Sequence, residues 1–289
     1  MGKILIVADL EQRCLATPRG LQLAAKLGHE VEVVAFTYVP LKAIEPNAAK
    51  QQAVRKQLLA DREKQVRARI DKHLQPGQEA RLTVVWEKDI HRWLNKQCAT
   101  GGYDMLVKTG HRSESLVHTC TDWQLLRECP VPVLLVAKKK WHRVRPVLVA
   151  LDLASSKAAK KSLNNKLLGA AKALAQALEV DLEIIAAIQV PSVLTEFDLV
   201  DPATYTRSTR ESMQPQIAKL AKAHGIPESA FRCKRGTAER VVASRAARVR
   251  AQLVVMGTAG RKGVKARLLG NTAEKVLLHL KTDVIAIKL

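Results

Sequence analysis

Apolar residues along the chain fall into short unbroken runs separated by longer periodic stretches. In the first half the runs are Ile4–Ala8, Val31–Phe36, Leu82–Trp86, Met105–Lys108 and Val131–Val136. Strands covered on both faces read this way, because both sets of alternating side chains must be apolar, and such strands build a parallel sheet. Between the runs lie helical patterns. Val54, Leu58, Val66, Ile70 and Leu74 form one stripe ended by Pro76-Gly77, and Leu163, Leu167, Leu174 and Leu178 form another. Pro215 predicts a helix that starts near it or is kinked there, with Gly225 as its stop.

The chain says much the same thing twice. KILIVAD (Lys3 to Asp9) parallels PVLVALD (Pro146 to Asp152), and DMLVKTG (Asp104 to Gly110) parallels AQLVVMG (Ala251 to Gly257). VPVLLVA closes the first half and TDVIAIK the second. The join, KKKWHRVRP, is charged and ends in proline. The expected organisation is therefore two tandem doubly wound α/β domains, residues 1–137 and 146–289, with a linker at 138–145. Each has a five-stranded parallel sheet with helices on both faces and right-handed crossovers.

Composition narrows the function classes. The chain has 289 residues, 47% of them hydrophobic, which is ample for packed cores. Aromatic residues make up only 3%, which disfavours a base-stacking platform for single-stranded nucleic acid. No apolar run approaches the ~20 residues needed to span a bilayer. The opening MGKILIVADLEQ meets Asp9 and Glu11 too early for a signal peptide. Five cysteines without a CxxC read as reduced thiols, which fits a cytoplasmic protein. The formal charge of +21 predicts attraction to something anionic without naming it.

A candidate anion site follows from topology. Ligands of open α/β sheets bind beyond the carboxyl ends of the strands, where strand order reverses. In the second half one such strand ends in Asp152. Another ends in Gly257 and leads through Gly260 and Gly270 to Asn271, where a helix begins. Glycines let backbone N–H groups approach a phosphate, and the helix start adds a positive dipole end. Arg261, Lys262, Lys265 and Arg267 supply further charge. Asp152 can accept from a sugar hydroxyl or an adenine amine. A purely structural turn fits the same glycines, and Asn271 with Glu274 also has the form of a capping box.

The pattern Gly257-x2-Gly260-x9-Gly270 before a small polar residue resembles the nucleotide-binding signature of the universal stress protein family, G-x2-G-x9-G-[S/T]. The likeness extends to the Asp ending the first strand, to GTAERVV (Gly236 to Val242) and to both halves of the chain, as in the family's tandem members. It implies a strand order of 3-2-1-4-5 in each domain. It also implies ATP, with magnesium, in the second domain. Adenine and ribose would lie near Asp152 and Ile188, and the phosphates against Gly257, Gly260, Gly270 and Asn271, assisted by Arg261 and Lys262. It further implies that the closing strands of the two domains pair as an intramolecular pseudo-dimer, and it allows a homodimer. The role implied is regulatory, in the stress response, with ATP hydrolysis slow at most. One departure is Asn271 in place of Ser or Thr.

The first half departs further. The repeat sets Gly110 against Gly257, but Ser113 stands at the second glycine position and the loop is shorter. Asp9, Gly110 and Ser113 thus form a degenerate version of the site or a site for a different ligand. His111, His118 and Cys120 match no standard zinc spacing and read as loop or core residues. Trp86 reads as a strand end, or as a pocket wall, and Trp93 as packing on the sheet. The bases from Lys50 to Lys72, Arg62 and Arg69 among them, alternate with acids and read as a solvated face. No nucleophile constellation occurs. The competing function is a binding or scaffold protein whose basic surface engages an acidic partner, a lipid headgroup or nucleic acid.

Overall fold

The computed structural model describes residues 2–10, 14–110, 121–138, 140–142, 144–258 and 271–289. It divides into two compact units, Met1–Ala137 and Lys138–Leu289. In the first, the elements are β1 (Lys3–Ala8), α1 (Ala16–Leu27), β2 (Glu30–Thr37), α2 (Ala48–Asp71), β3 (Arg81–Trp86), α3 (Ile90–Thr100), β4 (Met105–Thr109), α4 (Thr121–Glu128) and β5 (Val133–Val136). All the strand pairings are parallel and run β3-β2-β1-β4-β5, the order 3-2-1-4-5. Ile4, Leu5, Ile6, Val33, Val34, Leu106 and Leu134 are fully buried, so the unbroken runs do lie between two helical layers. In these layers α1 packs with α2, and α3 with α4.

The second unit repeats the plan. Its elements are β6 (Val147–Leu151), α5 (Ala158–Leu178), β7 (Leu182–Ile188), α6 (Ser192–Glu196), α7 (Pro202–His224), β8 (Phe231–Arg235), α8 (Ala238–Arg248), β9 (Leu253–Gly257), α9 (Asn271–His279) and β10 (Asp283–Ile287). The parallel order is β8-β7-β6-β9-β10. Leu163, Leu167, Leu174 and Leu178 on α5 are all buried.

Two helical expectations are corrected. Helix α7 starts at Pro202, with the Asp201 carboxylate accepting from the Thr204 N–H at 2.7 Å, and runs through Pro215. A proline at the first turn does occur, but it is Pro202; the helix tolerates the N–H missing at Pro215 because that residue faces solvent. The stripe on α2 is buried only in its second half. Val66 and Ile70 are fully buried, whereas Val54 is 42% exposed and Leu74 lies past the helix end. Trp93 packs as expected, edge-on against Phe36 at 5.3 Å, and Trp86 ends β3.

Candidate functional site

In the second unit the carboxyl ends of β6 and β9 lie side by side, so their last residues flank one crevice. Asn164 of α5, almost fully buried, clamps the end of β6. Its Oδ1 accepts from the Asp152 N–H at 3.0 Å, and its Nδ2 donates to the Asp152 carbonyl at 2.8 Å. The clamp satisfies the backbone that leaves the sheet and leaves the carboxylate outside it. That side chain is 49% exposed and, among the described residues, meets Lys160 Nζ at 3.2 Å from Oδ2. Asn164 and Lys160 were not singled out from sequence. A polar residue set beside the apolar stripe of α5 is the signal that could have found the first.

Gly257 ends β9, and its missing Cβ serves packing. A Cβ there would lie 2.7 Å from Leu163 Cδ2 and 3.2 Å from Leu167 Cδ1. The next residue, Thr258, donates its N–H to the Ile287 carbonyl at 2.9 Å. Its hydroxyl is buried, the residue being 1% exposed, and has no hydrogen-bond partner among the described residues. An unpaired hydroxyl is costly, so a polar group just beyond the strand would be welcome there. Ile188 at the end of β7 is fully buried, and its carbonyl accepts from the Gly236 N–H at 3.0 Å. Helix α9 begins at Asn271. Gly260, Arg261, Lys262, Lys265, Arg267 and Gly270 lie outside the described residues, as do Ser113, His111, His118 and Cys120.

The register corrects the match between the halves. Ile4 pairs with Met105 in β4, and the equivalent Val147 pairs with Leu253 in β9. Counting along the strands sets Thr109, not Gly110, opposite Gly257; likewise Thr109 pairs with Val136 as Gly257 pairs with Ile287. Two short apolar strings align equally well one residue apart, and only the ladder decides. Gly110 takes the place of Thr258, and its N–H is bound by the Val136 carbonyl at 2.9 Å.

This shift changes what the first unit can do. Where the second unit has no side chain, Thr109 places a hydroxyl in the crevice. It donates to Asp9 Oδ2 and accepts the Leu15 and Ala16 N–H groups at 3.2 and 3.0 Å. The Thr109 hydroxyl thus links Asp9 Oδ2 to the start of α1. Arg62, only 6% exposed, reaches the end of β1 from α2. Its Nη2 donates to the Ala8 and Asp9 carbonyls at 3.1 and 2.7 Å, and its Nη1 to Gln65 at 2.7 Å. Arg69 Nη1 adds a bond to the Asp9 carbonyl at 3.1 Å. Burial, then the charge of Arg69, pushes the Arg62 guanidinium below its usual range, with Cys14 and Asp9 pulling the other way. The solvated-face reading of Arg62 and Arg69 is therefore corrected: both reach the carboxyl end of β1, where main-chain carbonyls accept their charge.

Fold and crevice together define a class, the tandem doubly wound α/β protein with an acidic residue at the end of each unit's first strand. A model of the universal stress protein family matches residues 1–137 and 143–288, and the chain belongs to that stress-response family. It is 29% identical over 283 residues to universal stress protein E of Escherichia coli strain K12, covering 94% of this chain and 89% of that protein. It is 32% identical over 225 residues to the universal stress protein E homolog of Haemophilus influenzae, covering 76% of this chain and 73% of that protein. Among solved structures, a functionally unknown protein from Pseudomonas aeruginosa PAO1 superposes with a TM-score of 0.70 at 23% identity, covering 99% of this chain and 92% of the other. A universal stress protein from Archaeoglobus fulgidus superposes at 0.67 with 17% identity, covering 99% and 98%. These two likenesses concern the fold alone.

Proposed function

We propose that the second unit binds an adenine nucleotide, ATP with magnesium, and that the chain acts in the stress response through bound and free states rather than by turnover. The observation that carries this reading is the contrast between the two first-strand aspartates. Asp9 Oδ2 takes the Thr109 hydroxyl, while Asp152 is held by its backbone with its carboxylate exposed and displaceable from Lys160. A carboxylate so held accepts from ribose hydroxyls or an adenine amine. The unpaired Thr258 hydroxyl and the start of α9 flank the glycine loop, where Gly260, Gly270 and Asn271 meet the phosphates with help from Arg261 and Lys262. Magnesium neutralises the phosphate charge when bound. Because Ile188 is buried, the base meets the end of β7 through the chain just beyond it. The protein works in the cytoplasm, where the nucleotide pool lies.

The test is calorimetry of the full chain with ATP and magnesium. Saturable binding at millimolar nucleotide or below is expected, abolished by Gly260→Asp and weakened about tenfold by Asp152→Ala, the cost of one charge-assisted hydrogen bond. Circular dichroism checks that both variants stay folded. No heat from folded protein at millimolar ATP would sink the reading. Unchanged affinity in both variants would move the site elsewhere.

A further inference from the structure

The first unit carries a cleft of about 800 Å3 at the carboxyl ends of β2 and β3, lined by neither Asp9 nor Thr109. Its origin is the half-buried stripe of α2. The first half of that helix stands clear of the sheet, and Ala48, Gln52, Arg55, Lys56 and Leu59 face the segment Tyr38–Ala43 across the gap. Trp86, at the last position of β3, walls one end. Its ring lies 5.8 Å from that of Tyr38, tilted by 55°, and Arg55 sits over it at 5.4 Å. Exposed aromatic area is scarce in a chain with so few rings, and here two are paired at one strand end.

The charges in this cleft have one sign. Lys42, Arg55 and Lys56 line it, no acidic residue does, and none of the three forms an ion pair among the described residues. Three unpaired cations close together repel one another and favour an anion between them. The Arg55 guanidinium is poised for a carboxylate, since its planar fork matches two oxygens while its face keeps the ring contact. Tyr38 and the lining residues Val39, Pro40 and Leu41 offer a flat apolar surface beside that charge. The volume lies in the range of small-molecule sites. Most of the lining is exposed and the rest half-buried, so the cleft is open and shallow.

We propose that this cleft binds a small planar aromatic carboxylate, its ring against Tyr38 and Trp86 and its carboxylate on Arg55, with Lys42 and Lys56 close by. The site is independent of the nucleotide crevice of the second unit and gives the first unit a ligand of its own.

The probe is 2-naphthoate, titrated into the full chain by calorimetry and by tryptophan fluorescence. Saturable binding with Kd below about 1 mM is expected. Arg55→Glu and Trp86→Ala each weaken it about tenfold while leaving the circular dichroism spectrum that of folded protein. Naphthalene-2-methanol, which keeps the ring and lacks the charge, binds about tenfold more weakly. Saturating ATP does not displace the probe. No binding by folded protein at millimolar probe, or unchanged affinity in both variants, overturns the proposal. Equal binding of the neutral ring overturns the anion assignment, and displacement by ATP overturns the separate site.

Discussion

One side chain at the end of the fourth strand sets the two crevices apart. Thr109 in the first unit bridges Asp9 to the start of α1; Gly257 in the second leaves that space to Leu163 of α5. Replacing Gly257 by Ala therefore tests packing rather than phosphate approach. The variant should lose about 1–3 kcal/mol of stability in urea unfolding through overpacking, whether or not nucleotide is present. The repeat supplies a second comparison at the same scale. After α3, Gly102 adopts φ +65, whereas after α8 the equivalent turn is made by Arg250 at φ +51. Arg250 donates its N–H to Ala247, and Ala251 reaches back to Ala246, closing the helix. A residue with a Cβ is strained there. Arg250→Gly should raise the unfolding free energy by about 1 kcal/mol, and a lowered midpoint would show that Arg250 makes a compensating contact.

At the scale of elements, charge appears where the strands begin as well as where they end. Glu32 of β2 accepts from the Tyr103 hydroxyl at 2.8 Å and pairs with Lys3 of β1 at 2.7 Å, while Lys3 Nζ lies 4.5 Å from the Tyr103 ring. Burial raises the Glu32 carboxyl, but the bonds from Lys3 and Tyr103 outweigh it and hold the group below the ordinary glutamate range. Its bond to Glu32 raises Lys3 more than burial lowers it. A depressed carboxyl stabilises the fold at pH values above its unfolded range, and that contribution is lost as pH falls through the folded value. The raised Lys3 stabilises below the ordinary lysine range and loses its share as pH climbs past it. Stability of the full chain should therefore fall on acidification below about 4.5, and Glu32→Gln should flatten that limb; an unchanged acid limb would remove the triad from the pH response. The same scale explains α2. Its expected apolar stripe splits because Arg62 crosses to the β1 carbonyls, and the half without such an anchor borders the cleft at Trp86.

Across the whole molecule the surplus of +21 has no single destination. On the outer strand β8, Arg232, Lys234 and Arg235 are exposed, and Arg232 and Arg245 share Glu183. Charged side chains on an outer strand keep it from pairing with other chains, which accounts for them without a nucleic-acid partner. No helix among the described residues is long and apolar enough to cross a membrane. Any binding of duplex DNA should be non-specific and fall at least about a hundredfold between 50 and 200 mM salt through counterion release. ATP affinity, set by a pocketed ligand, should change far less. Oligonucleotide binding that survives the salt step, measured by fluorescence anisotropy, would restore the basic-surface reading.

The repeat, the alternation of strands and helices and most of the strands were legible along the chain, because unbroken apolar runs and periodic stripes are local consequences of burial on two faces; the charged outer strand β8 carries no such run. Family membership and the Asp9–Asp152 equivalence were equally legible, carried by strings of residues in order. Partnership across the sheet was not. Whether Gly110 or Thr109 matches Gly257 depends on the hydrogen-bond ladder between β1 and β4, which no local string encodes. The burial of Arg62 is hidden for the same reason: in sequence it is one base among alternating acids, and only the approach of α2 to β1 brings carbonyls to its guanidinium. Local pattern specifies which residues leave water, since that cost is paid residue by residue. The different settings of Asp9 and Asp152 were decided by contacts between elements far apart in the chain, where a single hydroxyl has a partner only once the strands are in register.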